Sequence, residues 1–264
     1  MVDSASTDAT CEIVRARPAA ALIALDDNVG WTRATGLGIA ASHGGVIAFI
    51  NPDARVTCAQ LMDLAERFAP GVGTVGPHFI GADGRSQSFY FRIATPLRGL
   101  FLYLNAGQRL DAWFGSRLIG HHVYRDADIR SVEVEHVGAA CVLHRKSDLA
   151  NVGGLDDSMF VFFSDMDMSR RLRARGLRTV VAWDVDVRHS GGGTVSKLDP
   201  WVRQEMFQRD YLAYAATSYG RGGRWVTRTG VLIFCGLGPA CAALVRGDLA
   251  GCRRAATIVG RLIR

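Results

Sequence analysis

The chain has 264 residues, of which 48% are hydrophobic and 21% charged, and a net charge of +6. A chain of this length buries about three quarters of its unfolded surface, and the composition excludes a disordered, collagen-like or coiled-coil protein. Thirty glycines against seven prolines suit a turn-rich α/β protein, and the basic balance favours phosphorylated or otherwise polyanionic partners. The six cysteines (Cys11, Cys58, Cys141, Cys235, Cys241 and Cys252) form no Cys-x-x-Cys pair. No charged-then-apolar leader opens the sequence. The cysteines therefore read as reduced, mostly buried small residues of a cytosolic protein, without zinc.

Along the first 200 residues, short apolar runs alternate with helical stretches. Val46-Ile47-Ala48-Phe49-Ile50 is followed by a helix over 58–69. Ala140-Cys141-Val142-Leu143 is followed by a helix over 165–175. Thr179-Val180-Val181-Ala182-Trp183 and residues 185–187 come next. Apolar runs bounded by Gly and Pro predict buried strands, and their alternation with helices predicts a largely parallel sheet covered on both faces. The pattern changes at Pro200, which divides a domain over 1–200 from a helical tail over 201–264. A helix over 201–219 ends at Gly220-Arg221-Gly222-Gly223-Arg224. The apolar stretch 231–245 contains Gly236, Gly238 and Pro239 and is shorter than the about twenty residues that span a bilayer. On a helical wheel, Arg253, Arg254, Arg261 and Arg264 share one arc, opposite Ala255, Ala256, Ile258, Val259, Leu262 and Ile263. Such a helix lies on a membrane surface or packs on its own domain. There is no internal repeat.

Three segments carry chemistry. Asn51-Pro52-Asp53 directly follows an apolar run. In open α/β sheets the ends of strands bind ligands, and a carboxylate there suits a hard divalent cation, although the tripeptide is also a plain turn. Ser164-Asp165-Met166-Asp167 opens a helix. Ser164 with Asp167 predicts a capping box, which leaves Asp165 free to act as a base. His189 precedes Ser190-Gly191-Gly192-Gly193, where an imidazole beside a glycine loop either binds metal or phosphate or is structural. Gly36-Leu37-Gly38 lacks the third glycine of a dinucleotide fingerprint.

Taken together and in order, these and five further segments resemble the inverting glycosyltransferases of family 2, in a rhamnosyltransferase-like branch. The segments are Val2-Asp3-Ser4-Ala5-Ser6-Thr7-Asp8; Asn28-Val29-Gly30-Trp31; Ile50-Asn51-Pro52-Asp53; Gly76-Pro77 with Asp83-Gly84; Gly138-Ala139-Ala140; Gly153-Gly154-Leu155-Asp156-Asp157; Ser164-Asp165-Met166-Asp167-Met168 leading to Arg171; and His189 with Gly191, Gly192 and Thr194. The likeness covers about residues 2–195.

The resemblance implies a GT-A fold and transfer of a sugar such as rhamnose from a nucleotide diphosphate donor to a hydroxyl of a lipid-linked or polysaccharide acceptor. It implies a divalent metal, Mg or Mn, on Asp53 and His189, a general base at Asp165, and nucleotide-base contact at Asp3. Asn28, Gly30, Gly138, Ala139, Asp167 and Arg171 would complete the substrate site. Three features depart from the family pattern. Ser164 stands where the family has Glu, Thr35-Gly36 replace an Asn pair, and the likeness begins at the family's second strand. The last departure predicts an unpaired sheet edge and impaired activity. A non-catalytic remnant that binds a partner or a membrane is the alternative. The expected setting is the cytoplasmic face of the plasma membrane, with no nucleic acid bound, since no recognition motif accompanies the tail arginines.

Overall fold

The computed structural model describes residues 1–87, 89–103, 131–191, 193–237, 245 and 247–263. The first 41 residues hold β1 (Val2–Ser4), α1 (Thr10–Arg15), β2 (Ile23–Leu25) and α2 (Gly30–Ala41). Next come β3 (Val46–Ile50), β4 (Ala54–Arg55), α3 (Cys58–Ala65), β5 (Val72–Ile80), β6 (Tyr90–Phe91) and α4 (Pro96–Tyr103). After the intervening residues follow β7 (Ser131–Val134), β8 (His136–Val137), β9 (Cys141–Arg145), α5 (Lys146–Asn151), α6 (Ser164–Ala174) and β10 (Arg178–His189). The chain continues through α7 (Thr194–Lys197), α8 (Pro200–Val231), a π-helical turn (Leu232–Leu237) and α9 (Leu249–Ile263).

The expected α/β sheet is present, with β3, β9, β5, β10 and β4 as neighbours in that order and β7 pairing with β10. Its centre is the long parallel pair of β5 with β10. Antiparallel partners flank that pair: β9 between β3 and β5, and β4 and β7 on β10. A strand buried on both faces is a plain apolar run, and such a run carries no signal of direction. β1 and β2 form a separate parallel pair, and β3 pairs with β9 alone among the described strands. Val46 and Ile50 on that edge strand are 41% and 44% exposed.

The core is built from the inward residues of this sheet, among them Val75, Phe79, Val142, Leu143, Val181 and Val187. Met168 and Leu172 of α6 and Leu64 of α3 cover it. Each such side chain contributes about 1.5–3 kcal/mol through burial. The helix start predicted near Cys58 has a capping box, in which Thr57 and Gln60 satisfy each other's backbone N–H. β10 is a single strand through 178–189, with a register shift between Ala182 and Asp186. That irregularity carries the strand on to pair with β4, opposing His189 to Ala54.

The predicted helix after Pro200 is α8. Asp199 Oδ1 accepts the Trp201 N–H at 2.8 Å and Pro200 takes the first helical position, where its missing N–H costs nothing. The break falls at Gly220 alone (φ 66°, ψ −160°), and the helix resumes directly. Before the break, Tyr211 and Tyr214 are fully buried in a second cluster with Ala94, Met159 and Phe163. Among the described cysteines, only Cys141 is buried; Cys58 is exposed, and Cys11 and Cys252 are intermediate. This corrects the reading of mostly buried thiols, which composition cannot place. Residues 238–244 of the apolar run 231–245 lie outside the described residues, and no described helix is long and apolar enough to cross a membrane. Arg264 also lies outside the described residues. Along α9, Arg253 is exposed and Ala255 is 1% exposed.

Candidate active site

The turn after β3 and the end of β10 meet. Ala54 N donates to Asn51 O at 3.0 Å, closing the Asn51-Pro52-Asp53 turn, and Ser190 N donates to Asp53 O at 3.1 Å. Asp53 Oδ1 then lies 3.4 Å from His189 Nε2. A β-carbon at Gly193 would sit 3.2 Å from Asp53 Oδ2, so the backbone at Gly193 lies close against the carboxylate. One carboxylate oxygen and one imidazole nitrogen fit a hard divalent ion that takes its other ligands from phosphate oxygens and water. No group of three or more His, Cys, Asp or Glu side chains suited to a metal occurs among the described residues.

Phe89 links this corner to Asp165. Its ring is 5.0 Å from the His189 ring, and its carbonyl accepts the Gly138 N–H at 2.9 Å. A β-carbon at Gly138 would fall 2.4 Å from Phe89 ring carbons, so only glycine allows this approach. The next N–H, of Ala139, donates to Asp165 Oδ2 at 3.2 Å. The Met166 N–H donates to Asp165 Oδ1 at 2.9 Å. Each carboxylate oxygen keeps a free lone pair, and the side chain is 22% exposed. His136 Nε2 lies 3.6 Å from Asp165 Oδ2, and its Nδ1 is 2.9 Å from Ser169 Oγ. Burial pushes the His136 imidazole below its usual range and the Asp165 charge opposes this.

The start of α6 is not the predicted capping box. Phe163 precedes the helix in the left-handed region (φ 67°) without a side-chain cap. Ser164, the first helical residue, is fully buried and its hydroxyl meets Thr32 Oγ1 at 2.9 Å. Asp167 is spent elsewhere. It binds Arg170 at 3.0 Å, Arg171 at 2.7 Å and Ser218 Oγ at 2.9 Å. Arg171 also donates to the Val152 and Gly154 carbonyls, fastening the Gly153-Gly154 turn to α6. Asp167 and Arg171 therefore support the loop beside the base helix and engage protein groups. They line a shallow depression of about 340 Å³ with Gly153, Asp156 and Thr217; Asp53, Asp165 and His189 do not line it.

The remaining candidates cluster around α2. Asn28 Oδ1 accepts the Gly30 N–H at 3.0 Å. Gly30 (φ 81°) passes so close to Phe160 that a β-carbon would lie 2.4 Å from its carbonyl. Thr32 N donates to the same carbonyl at 3.2 Å, joining the start of α2 to the loop before α6. Asp3 is 4% exposed. Its carboxylate accepts both the Ser6 hydroxyl and the Ser6 N–H, which hold it below the usual carboxylate range.

Residues 1–126 match the model of glycosyl transferase family 2. An N-acetylglucosaminyl-diphospho-decaprenol L-rhamnosyltransferase of Mycobacterium tuberculosis is 26% identical over 207 residues, covering 72% of this chain and 65% of that protein. The family likeness is thus carried by the first 126 residues of the chain. An uncharacterized protein of Sinorhizobium fredii is 27% identical over 179 residues, covering 65% of this chain and 18% of that protein. The chain thus spans less than two thirds of the length of either curated relative. Among solved structures, a Pyrobaculum calidifontis mannosyltransferase in complex with GDP-Man and Mn²⁺ superposes with a TM-score of 0.51. It is 16% identical and covers 100% of this chain and 70% of its own. GalNAc-T7 with UDP, GalNAc and Mn²⁺ gives 0.50 at 12% identity, covering 84% and 44%. These likenesses are of fold alone, the GT-A fold.

Three contributors to the site have no motif in the sequence. Asp210 of α8, fully buried, accepts the Val161 and Phe162 N–H groups at 2.8 and 2.9 Å. Gln87 binds His189, and His136 sits beside Asp165. Only the buried-acid rule hints at the first, since a lone Asp in an aromatic helix must find partners.

Proposed function

We propose that this protein is a family 2 glycosyltransferase that transfers a sugar, rhamnose or a similar hexose, from a nucleotide diphosphate donor to a hydroxyl of a lipid-linked acceptor, with inversion. The observation that carries the reading is the continuous path from Asp53 and His189 through Phe89 and Gly138 to Asp165. It joins a cation-binding corner to a partly exposed carboxylate oriented by two backbone N–H groups. Asp53 and His189 are the residues that would hold a divalent Mg or Mn. When bound, the ion offsets charge developing on the diphosphate leaving group. Asp165 accepts the acceptor hydroxyl proton as that oxygen bonds to the anomeric carbon. The carbon–oxygen bond to the diphosphate breaks, and its electron pair leaves with the nucleotide. Ala139 N–H keeps the base aimed, and neutral His136 adds no competing positive charge. Asp3 and the Asn28–Gly30 turn are assigned to the donor's nucleotide side; Asp167 and Arg171 shape the adjoining loop. The Mycobacterium relative's lipid-diphosphate acceptor supports the acceptor class.

The test is turnover of nucleotide-rhamnose and related donors with a polyprenyl-diphosphate-sugar acceptor. Asp165→Asn should bind the donor as the wild type does and lose at least about 10²-fold in turnover. Wild-type turnover by the Asn variant would remove the base assignment.

The acceptor class also favours peripheral attachment at the cytoplasmic face of the plasma membrane. Beyond Gly220, Arg221, Arg224, Trp225 and Arg228 recur at one helical face. Trp225 is 68% exposed, followed by Ile233 at 46% and Leu249 at 71%. Arginines beside an exposed indole suit an anionic headgroup layer.

A further inference from the structure

Gln87 grips His189 with both ends of its amide. Its Nε2 donates to the His189 carbonyl at 3.2 Å, and its Oε1 lies 3.0 Å from His189 Nδ1. A carbonyl is only an acceptor, so the NH₂ must face it and the oxygen must face the ring. That oxygen requires a hydrogen on Nδ1. In the neutral imidazole Nε2 then carries the lone pair, and it faces Asp53 Oδ1 at 3.4 Å. Two lone-pair-bearing atoms at this separation repel unless a cation lies between them. The ring has little freedom to turn away. His189 is 5% exposed and packs edge-on against Phe79 and Phe89, at centroid distances of 5.9 and 5.0 Å. Gln87 is itself anchored, its N–H donating to Phe79 O at 2.8 Å.

We infer that Gln87 is a positioning residue that locks His189 as the Nδ1–H tautomer, so that Nε2 and Asp53 face a divalent cation as a preset pair. The inference rests on the metal-assisted reading of this corner. A carboxamide in this place does the work that a carbonyl or carboxylate does behind many metal-binding histidines, where its loss costs about 10–100-fold in metal affinity.

Two readouts test it on the full chain. Long-range ¹H–¹⁵N spectra of histidine-labelled protein, taken above the imidazole titration, should show His189 protonated at Nδ1. Titration with Mn²⁺ alone, followed by electron paramagnetic resonance, should show about 10–100-fold weaker binding for Gln87→Leu. Gln87→Glu, which still accepts from Nδ1–H, should recover most of that loss. An Nε2–H tautomer in the wild type would overturn the inference whatever the variants do, and so would wild-type Mn²⁺ affinity in Gln87→Leu. Asp53→Ala separates the two levels. If it binds Mn²⁺ as the wild type does, the metal reading of the corner fails and the inference fails with it, while an Nδ1–H spectrum would still record the restraint on the ring.

Discussion

At the scale of single residues, the buried imidazoles set how the fold answers acid. His144 lies in β9 against Phe49 and within 3.1 Å of Thr74 Oγ1. Burial pushes it down to about 3, and His136 is lowered for the same reason. A base whose folded pKa falls below its unfolded value stays neutral in the fold while the unfolded chain takes up a proton. The contribution to stability is therefore unchanged above about pH 6.5. It declines as pH falls from there toward 3, by up to about 1.4 kcal/mol per pH unit per group. Denaturant unfolding at pH 7.5 and pH 5 should show a loss of about 2 kcal/mol from His144 alone, by the same linkage. His144→Gln should unfold with a shallower dependence on pH. Equal pH dependence in variant and wild type would show that His144 does not set it. The residue scale also explains why Ser164 does not cap its helix. A Ser followed three residues later by an acid is a capping signature, but the hydroxyl is taken by Thr32 and the acid by two arginines.

At the scale of elements, the helix that carries Asp165 depends on a helix that follows it in sequence. Phe163 holds a left-handed conformation that costs a residue other than glycine about 1–3 kcal/mol. Its ring packs at 4.9 Å from both Phe207 and Tyr211 of α8. Asp210 takes the two N–H groups immediately before it. Together these contacts over-determine the turn that presents Asp165. Asp210→Ala strands two N–H donors, each bond to the charged group being worth about 1.5–3 kcal/mol. We expect lower stability by about 2–4 kcal/mol and a fall in turnover larger than any change in donor affinity. Calorimetry and steady-state kinetics on one preparation check both. Unchanged stability would show that α8 merely lies against the loop.

At the scale of the whole molecule, α8 seats buried tyrosines before Gly220 and presents an arginine-rich face after it, while Gly223, Thr227, Gly230 and Val231 stay buried. Up to Tyr219 the helix contributes tyrosines whose hydroxyls donate to Ala94 and Thr95 carbonyls at 2.8–3.0 Å. After Gly220 it presents Arg221, Arg224 and Trp225 to solvent. A protein that meets its acceptor at a bilayer should sediment with anionic vesicles at low salt and release them as salt rises. Replacing Arg221, Arg224 and Arg228 with Glu should abolish sedimentation while leaving donor binding intact. Wild-type protein that ignores anionic and zwitterionic vesicles alike would end the membrane assignment.

The sequence by itself determined what is written within a few residues. The strand runs, the helix over 165–175, the turn at Asn51-Pro52-Asp53 and the ordered short motifs were all legible, because period, turn chemistry and motif spacing are local properties. They single out Asp53, His189 and Asp165 as candidates. Tertiary structure alone decided the strand directions, because an apolar run reads alike both ways. It also decided the partners that make the site work. Gln87 and His189 are 102 residues apart, and Asp210 stands 48 and 49 residues from the N–H groups it holds. A hydrogen bond across such a separation leaves no periodicity behind. It arises because the register shift in β10 carries His189 to β4, and because buried tyrosines seat α8 against the loop that opens the base helix.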